Sequence, residues 1–202
     1  EPEVVAFAWV PDFARGQVRD LRVRWALEEA GRPYRTRLLE QGQQSAPEFL
    51  AEQPFGQVPV YREGEVELFE SGAIVLHLGE SSEALLPRDP AARARAKAWL
   101  LAALNSVETF VQQYAELDTF YPGQAWARDR KAILEPMIRQ RLSRLSDALG
   151  DGPWLEDGFT LGDLMMGSVL GIMRGHPILA EYPSLGAYLA RCDERPAYRR
   201  AL

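Results

Sequence analysis

Cysteine and histidine are scarce in this chain of 202 residues. It contains one cysteine, Cys192, and two histidines, His77 and His176, which lie far apart in the sequence. A single thiol cannot form an internal disulfide or a Cys-x-x-Cys redox pair, and two separated histidines cannot supply a multi-histidine metal site. We therefore expect no metal centre, and we expect a protein of a reducing compartment, the cytoplasm.

The chain also lacks a basic excess and a long apolar run. It has 23 Lys and Arg residues against 29 Asp and Glu residues, which gives a formal net charge of −6. Because nucleic-acid binding needs a basic face, we expect no nucleic acid as a partner. The longest apolar run covers only Ala98 to Leu104, far short of a membrane span, so we expect no membrane partner either.

The first eighty residues alternate short apolar runs with helical patterns, which predicts a mixed α/β domain. One predicted helix, 18–30, places Leu21 and Trp25 on its apolar side and Arg22 elsewhere, and Gly31 stops it. The predicted order is β-α-β-α-β-β-α, with strand 4–10, helix 18–30, strand 34–39, helix 46–52, strand 57–61, strand 66–69 and a last helix that opens at 70–72 and runs to 78.

The remainder of the chain reads as helical. The polar segment 80–89 carries two prolines and is the predicted linker between a domain at residues 1–79 and an all-helical domain at residues 90–202. Its predicted helices are 90–117, capped by Asp89, then 129–149, 161–174 and 184–192. Thr160 and Asp163 have the spacing of a capping box at the start of the third helix, which is a folding element.

Three polar features lie in the first domain. Pro59 interrupts a strand between Val58 and Val60, which suggests a cis bond and a peptide edge free to pair with an extended ligand. The pair Glu70-Ser71 opens a helix, with Ser71 as the predicted N-cap, and a helix start attracts carboxylates while Glu70 could hold an ammonium group. Three glutamines in or near loops, Gln44, Gln53 and Gln57, could bind a second carboxylate or peptide amides. Each feature taken alone is better explained as an edge-strand proline, an ordinary helix cap or a solvated surface glutamine.

In combination these features resemble the glutathione S-transferase family. The matching stretch is FLAEQPFGQVPVYREGEVELFESGAIVLHL, and RVRWALEEAGRPYRTRLL resembles the family's first helix and second strand. In the second half, FTLGD and YPSLGAYLARCDERPAYRRAL resemble its capping box and last helices. The resemblance implies a thioredoxin-like N-terminal domain, an all-α C-terminal domain and a homodimer.

The resemblance also implies a set of glutathione-binding residues. Val58, beside a cis Pro59, pairs its backbone with the cysteinyl part of glutathione, and Glu70 with Ser71 binds the γ-glutamyl end. Gln57 takes the matching polar position beside the strand, and Gln44 lies where many members bind the glycine carboxylate. Glutathione is then a co-substrate, and the electrophile lies in an apolar pocket for which the candidate lining residues are Trp9, Phe13, Phe110, Tyr114 and Phe120.

The sequence departs from the family where the thiol is activated. Family members place Tyr, Ser or Cys just after the first strand, but no Ser, Thr, Tyr or Cys occurs between Glu1 and Pro33. Three explanations stay open: backbone N–H groups helped by Arg15, a hydroxyl of the helical domain from Tyr114 or Tyr121, or glutathione binding without efficient transfer. The expected function is transfer of glutathione to a small hydrophobic electrophile. The alternatives are glutathione-dependent disulfide or peroxide reduction and a non-catalytic binding or regulatory protein.

Overall fold

The computed structural model describes residues 1–202, which pack as two compact units. The first unit comprises residues 1–88 together with 195–202, and the second comprises residues 89–194. No helix combines the length and the apolar character that a membrane span requires.

A four-stranded sheet forms the centre of the first unit, and its order of elements confirms the predicted one. The elements are β1 (Glu3–Phe7), α1 (Asp20–Glu29), β2 (Arg35–Leu39), α2 (Pro47–Glu52), β3 (Val60–Glu63), β4 (Val66–Phe69) and α3 (Ser71–Glu80). The strand order in space is β2-β1-β3-β4, with β1 parallel to β2 and antiparallel to β3, and with β3 and β4 as an antiparallel hairpin. This is the thioredoxin-like arrangement that the sequence predicted.

Alternation along the strands gives the sheet two buried faces. On one face, Val5 of β1 and Val60 of β3 pack in a cluster with Leu39, with Phe49 of α2 and with Val58. The opposite face carries fully buried residues such as Val4 and Tyr61, and α1 and α3 contribute their own buried residues, among them Leu21, Trp25, Ile74, Val75 and Leu78. Val58, which lies two residues before β3, belongs to this cluster.

Helix α1 differs from its prediction at both ends and on one face. It begins at Asp20 rather than at residue 18, because the N–H groups of Leu21 and Arg22 bond carbonyls three residues back, in turns tighter than an α-helix. It ends at Glu29, one residue before the predicted end, and Gly31 follows with a φ of +63° that glycine adopts readily. Arg22, expected away from the apolar side, is only 3% exposed because α3 packs against this helix.

The second unit is entirely helical, as predicted. Its elements are α4 (Pro90–Ala102), a π-helical segment (Ala103–Glu108), α5 (Thr109–Phe120), α6 (Ala125–Leu149), α7 (Leu161–Leu170), α8 (Pro177–Ala180) and α9 (Pro183–Glu194). The long helix predicted from residue 90 is therefore helical through to residue 120, with the π segment inside it. Asp89 caps its start through a 2.8 Å bond from the Ala92 N–H.

The last helix, α10 (Pro196–Ala201), belongs to the first unit, although the predicted domain limits had placed it with the other helices. It packs on α1, where the Trp25 and Tyr198 rings meet edge to face at 4.9 Å. Ion pairs join the same surfaces, since Arg195 binds both carboxylate oxygens of Glu29 and Arg200 binds Glu28. A local helical pattern predicts the helix and cannot predict which surface it packs on.

The predicted capping box at the start of α7 is confirmed. The Thr160 hydroxyl accepts from the Gly162 N–H at 3.1 Å, and the Asp163 carboxylate accepts from the Thr160 N–H at 2.9 Å. The other Asp163 oxygen accepts from the Leu155 N–H at 2.9 Å and from the Tyr188 hydroxyl at 3.0 Å. Burial raises the pKa of Asp163, and these hydrogen bonds oppose that rise.

Loss of the cap should destabilise the protein. Thr160→Ala removes the side-chain acceptor at a buried helix start, so we expect the free energy of unfolding to fall by about 0.5–2 kcal/mol. Urea denaturation followed by circular dichroism measures this change. Thr119→Ala, at an exposed threonine of α5, is the control and should stay within about 0.5 kcal/mol of the parent protein. Equal stability of Thr160→Ala and the parent would show that the cap is not needed.

Candidate functional site

The conformation of the loop before β3 depends on a buried glutamine, Gln53, and on a glycine, Gly56. Gln53 is only 2% exposed, and its side-chain oxygen accepts from the Phe55 N–H at 2.6 Å. Gly56 has a φ of +62°, and a Cβ there would lie 2.8 Å from the Gln44 carbonyl oxygen. The loop therefore lies directly against residue 44, which brings Gln57 and Gln44 into the same neighbourhood.

Val58 presents a peptide group without a partner. The Val58–Pro59 bond is cis, as the sequence suggested. The Val58 side chain is buried in the sheet cluster, yet neither its N–H nor its carbonyl takes part in the backbone hydrogen bonds of the loops or in the strand ladders. A buried side chain with an unbonded peptide is the arrangement that an added extended chain could complete.

Glu70 follows the β3–β4 hairpin, and its position in the helix start differs from the prediction. Glu70, not Ser71, is the N-cap of α3, and Ser71 is the first helical residue. Glu70 is exposed and has a φ of +70°, the only positive φ at a residue other than glycine. Such strained positions concentrate at functional sites.

The start of α3 has no side-chain cap. The first helical bond runs from the Ile74 N–H to the Glu70 carbonyl, so the N–H groups of residues 71–73 have no acceptor in the protein. An uncapped helix start carries partial positive charge and outward-pointing donors, which together bind anions. The exposed Glu70 carboxylate adds a negative group beside it. This pairing fits a ligand that carries both a carboxylate and an ammonium group.

Arg22 is a residue of this region that the sequence did not single out. Its guanidinium donates from Nη1 to the Ser71 Oγ across 3.4 Å, and both residues are only 3% exposed. The only signal in the sequence was an arginine next to the apolar positions of a helix, and this pattern is common on solvated helix faces. Its burial became visible only once α3 was placed.

The loop after β1 carries the remaining predicted residues of the first unit. Trp9 and Phe13 are each 60% exposed, and the Trp9 carbonyl accepts from the Gln41 side chain at 3.0 Å. Arg15 is exposed and lies 3.4 Å from the Asp12 carboxylate. Arg15 also lines a cavity of about 730 Å³, together with Val10, Asp20, Leu21, Arg24 and Leu38.

The predicted aromatic residues of the second unit lie on α5 in three different settings. Tyr114 is buried, and its hydroxyl donates to the Glu135 carboxylate at 2.9 Å. Burial raises the pKa of Tyr114, and the bond to Glu135 adds to the rise. The Arg141 guanidinium covers the Phe110 ring at 3.5 Å, and Phe120 is 63% exposed. Because Trp9 and Phe13 belong to the other unit, the shared pocket stays a prediction.

The comparisons with known proteins agree with this geometry. The model of the family described as "Glutathione S-transferase, N-terminal domain" matches residues 13–80. The glutathione S-transferase-like protein gedE of Aspergillus terreus is 30% identical over 160 residues, which cover 71% of this chain and 69% of that protein. This chain belongs to the glutathione S-transferase family.

Two further proteins are similar to this chain over most of its length. The disulfide-bond oxidoreductase YfcG of Escherichia coli is 29% identical over 189 residues, covering 87% of this chain and 86% of its own. The crystal structure of a theta class glutathione S-transferase from Xanthomonas axonopodis pv. citri, with glutathione bound, is 28% identical with a TM-score of 0.84. That comparison covers 99% of this chain and 96% of the other.

The surroundings of Tyr114 predict a pH-dependent stability. The His176 ring meets Tyr114 edge to face at 5.2 Å, and its Nδ1 caps α8 by accepting from the Ile178 N–H at 3.2 Å. Burial, followed by the nearby Lys131 charge, lowers the pKa of His176 from its usual 6.5. A histidine with a lowered pKa in the folded state contributes stability that is present above about pH 6.5 and is lost as the pH falls through the folded-state value.

His176→Asn should remove that dependence. Asparagine can accept the same cap bond but does not titrate. As the pH falls from about 7.5 to about 5.5, we expect the melting temperature of the parent protein to fall more than that of His176→Asn. Differential scanning fluorimetry at matched ionic strength measures both proteins. Parallel pH curves would show that His176 does not carry this sensitivity.

Proposed function

We propose that the protein binds glutathione at the edge formed by Gln44, Val58 and the start of α3, and that it transfers the glutathione sulfur to a small hydrophobic electrophile. The observation that carries this proposal is the uncapped start of α3, with free N–H groups at residues 71–73 beside the exposed Glu70 carboxylate. The γ-glutamyl end of glutathione carries a carboxylate and an ammonium group on one carbon, so it complements both charges.

Each remaining part of glutathione has a proposed partner in the same unit. The unbonded Val58 peptide, next to Pro59, pairs with the cysteinyl residue in the manner of an added strand. Gln57, which is exposed beside it, hydrogen-bonds the ligand from the loop. Gln44 holds the glycine carboxylate, and the contact of Gly56 with the Gln44 backbone fixes its position relative to Gln57.

Thiol activation is proposed to rest on positive potential rather than on a hydroxyl. The segment from residue 1 to residue 33 contains no Ser, Thr, Tyr or Cys, and the Tyr114 hydroxyl proton is directed to Glu135. Backbone N–H groups before α1, assisted by the Arg15 cation, favour the thiolate, and the thiol proton passes to solvent. The thiolate then attacks the electrophilic carbon, and the leaving group departs with its electron pair.

A second candidate function is glutathione-dependent disulfide reduction. The missing hydroxyl favours it, and so does the similarity to a relative named as a disulfide-bond oxidoreductase. Here a glutathione thiolate attacks one sulfur of a disulfide, and the second sulfur leaves as a thiolate. Retention on immobilised glutathione with turnover of an aromatic electrophile supports transfer, and turnover of a mixed disulfide alone supports reduction. Retention without either activity supports a binding or regulatory protein.

The homodimer and the cytoplasmic location are also proposals. They rest on the family to which the chain belongs. Sedimentation equilibrium tests the dimer directly, and a monomer at micromolar concentration would contradict it.

Ser71→Ala should weaken glutathione binding without unfolding the protein. The hydroxyl lies at the helix start that is proposed to hold the carboxylate, so we expect a loss of affinity of about tenfold. Isothermal titration calorimetry measures the dissociation constant. Ser81→Ala is the matched control, since Ser81 lies at the other end of α3 and bonds only the Leu78 carbonyl there. An affinity that Ser71→Ala leaves unchanged would remove Ser71 from the site.

Arg15→Ala should raise the pKa of the bound glutathione thiol. Removing a nearby cation destabilises the thiolate, so the pH–rate profile for conjugation should shift to higher pH. Arg35→Ala is the matched control, because the Arg35 side chain is also 69% exposed and pairs with Glu3 on the sheet. If the two profiles coincide, Arg15 has no part in thiol activation.

A further inference from the structure

We propose that Arg22 is a positioning residue that makes the Ser71 hydroxyl an obligatory hydrogen-bond donor toward the ligand. This inference rests on the proposed function, because the acceptor is the α-carboxylate of the γ-glutamyl group. According to this inference, a buried residue of α1 makes the helix start of α3 selective for a carboxylate.

The direction of the Arg22–Ser71 contact follows from the chemistry of the two groups. A guanidinium remains charged and has five N–H donors but no acceptor. The Ser71 oxygen, 3.4 Å from Arg22 Nη1, must therefore act as the acceptor in this contact. Its hydroxyl proton is then turned away from Arg22, and no group of the protein accepts it.

The available direction is toward the open helix start. Ser71 is the first residue of α3, next to the N–H groups of residues 71–73 that lack acceptors. With the hydroxyl directed by Arg22, the free polar groups at this position, the Ser71 hydroxyl and the N–H groups of residues 71–73, all donate and none accepts. A carboxylate, which only accepts, satisfies them together, whereas an ammonium or amide N–H placed there would leave them unsatisfied.

Burial makes this arrangement persistent. Arg22 and Ser71 are each 3% exposed, so water does not compete freely for the Ser71 oxygen. If Arg22 only held α1 against α3, its replacement would lower the stability of the protein and would change the affinity for every ligand equally. A positioning role instead changes affinity only for ligands that carry the carboxylate.

Arg22→Met tests the proposal with two ligands. Glutathione is compared with γ-aminobutyryl-cysteinyl-glycine, which is glutathione without its α-carboxylate, and calorimetry gives both dissociation constants. We expect Arg22→Met to weaken glutathione about tenfold while changing the analogue less than about twofold. In a Ser71→Ala background, Arg22→Met should cause almost no further loss, since the hydroxyl that it directs is gone.

Two controls separate this effect from general damage to α1. Arg24→Met removes another partly buried arginine from α1, one that binds Asp20 and the Ala201 carbonyl, and it should leave the selectivity between the two ligands unchanged. Arg22→Gln keeps an N–H donor and should retain part of the selectivity. Arg22→Leu, which like Arg22→Met has no side-chain donor, takes the place of Arg22→Met if the latter does not fold.

The outcomes distinguish this inference from the proposed function. If the parent protein does not bind glutathione, the proposed function fails first. If the parent binds and Arg22→Met, or Arg22→Leu in its place, binds glutathione equally well, the role of Arg22 is wrong while the site stands. Equal weakening of both ligands would likewise overturn the positioning role and show a structural one.

Discussion

The start of α3 depends on a constraint that any helix must meet: its first N–H groups have no acceptor within the helix. In this protein the chain reaches that point through a strained Glu70, and no side chain caps it. Ser71 and Gly72 are buried, so these donors are held in place by the packing behind them. Such open donors are available to water or to an anionic ligand. The other features of the proposed site depend on a ligand bound at this helix start. Arg22 is proposed to direct the Ser71 hydroxyl toward it, and the Val58 peptide is proposed to pair with its cysteinyl residue.

A second buried helix start in the same chain satisfies the constraint in the opposite way. At α7, Thr160 and Asp163 occupy the donors, and Asp163 also accepts from Leu155 and Tyr188. Side chains of the protein therefore act as acceptors at that helix start. The start of α3 shares the lack of a side-chain cap with α1, α2 and α6, and what distinguishes it is the strained Glu70 that precedes it.

Helix α1 connects the site to the rest of the first unit. One side of it contacts α3 through Arg22 and Ser71, and its C-terminal end receives α10 through Glu28 and Glu29. Two residues along a helix differ by about 200°, so Arg24 faces away from Arg22, toward Asp20 and the Ala201 carbonyl. Arginines two positions apart on α1 thus serve separate surfaces, and of the two Arg22 is the one that contacts Ser71 at the proposed site.

The sequence by itself determined the order of the elements, the mixed first domain, the helical second domain and the cap at Thr160. These follow from local patterns of apolar residues, glycines and capping side chains, which act over a few positions. The resemblance to the glutathione S-transferase family added Val58, Pro59, Glu70 and Ser71 as a group. Tertiary structure alone decided that Glu70 rather than Ser71 is the cap, that α10 packs on α1, and that Arg22 is buried against Ser71. These outcomes depend on which surfaces meet across tens of residues, and no local pattern encodes the partner that a helix face will find.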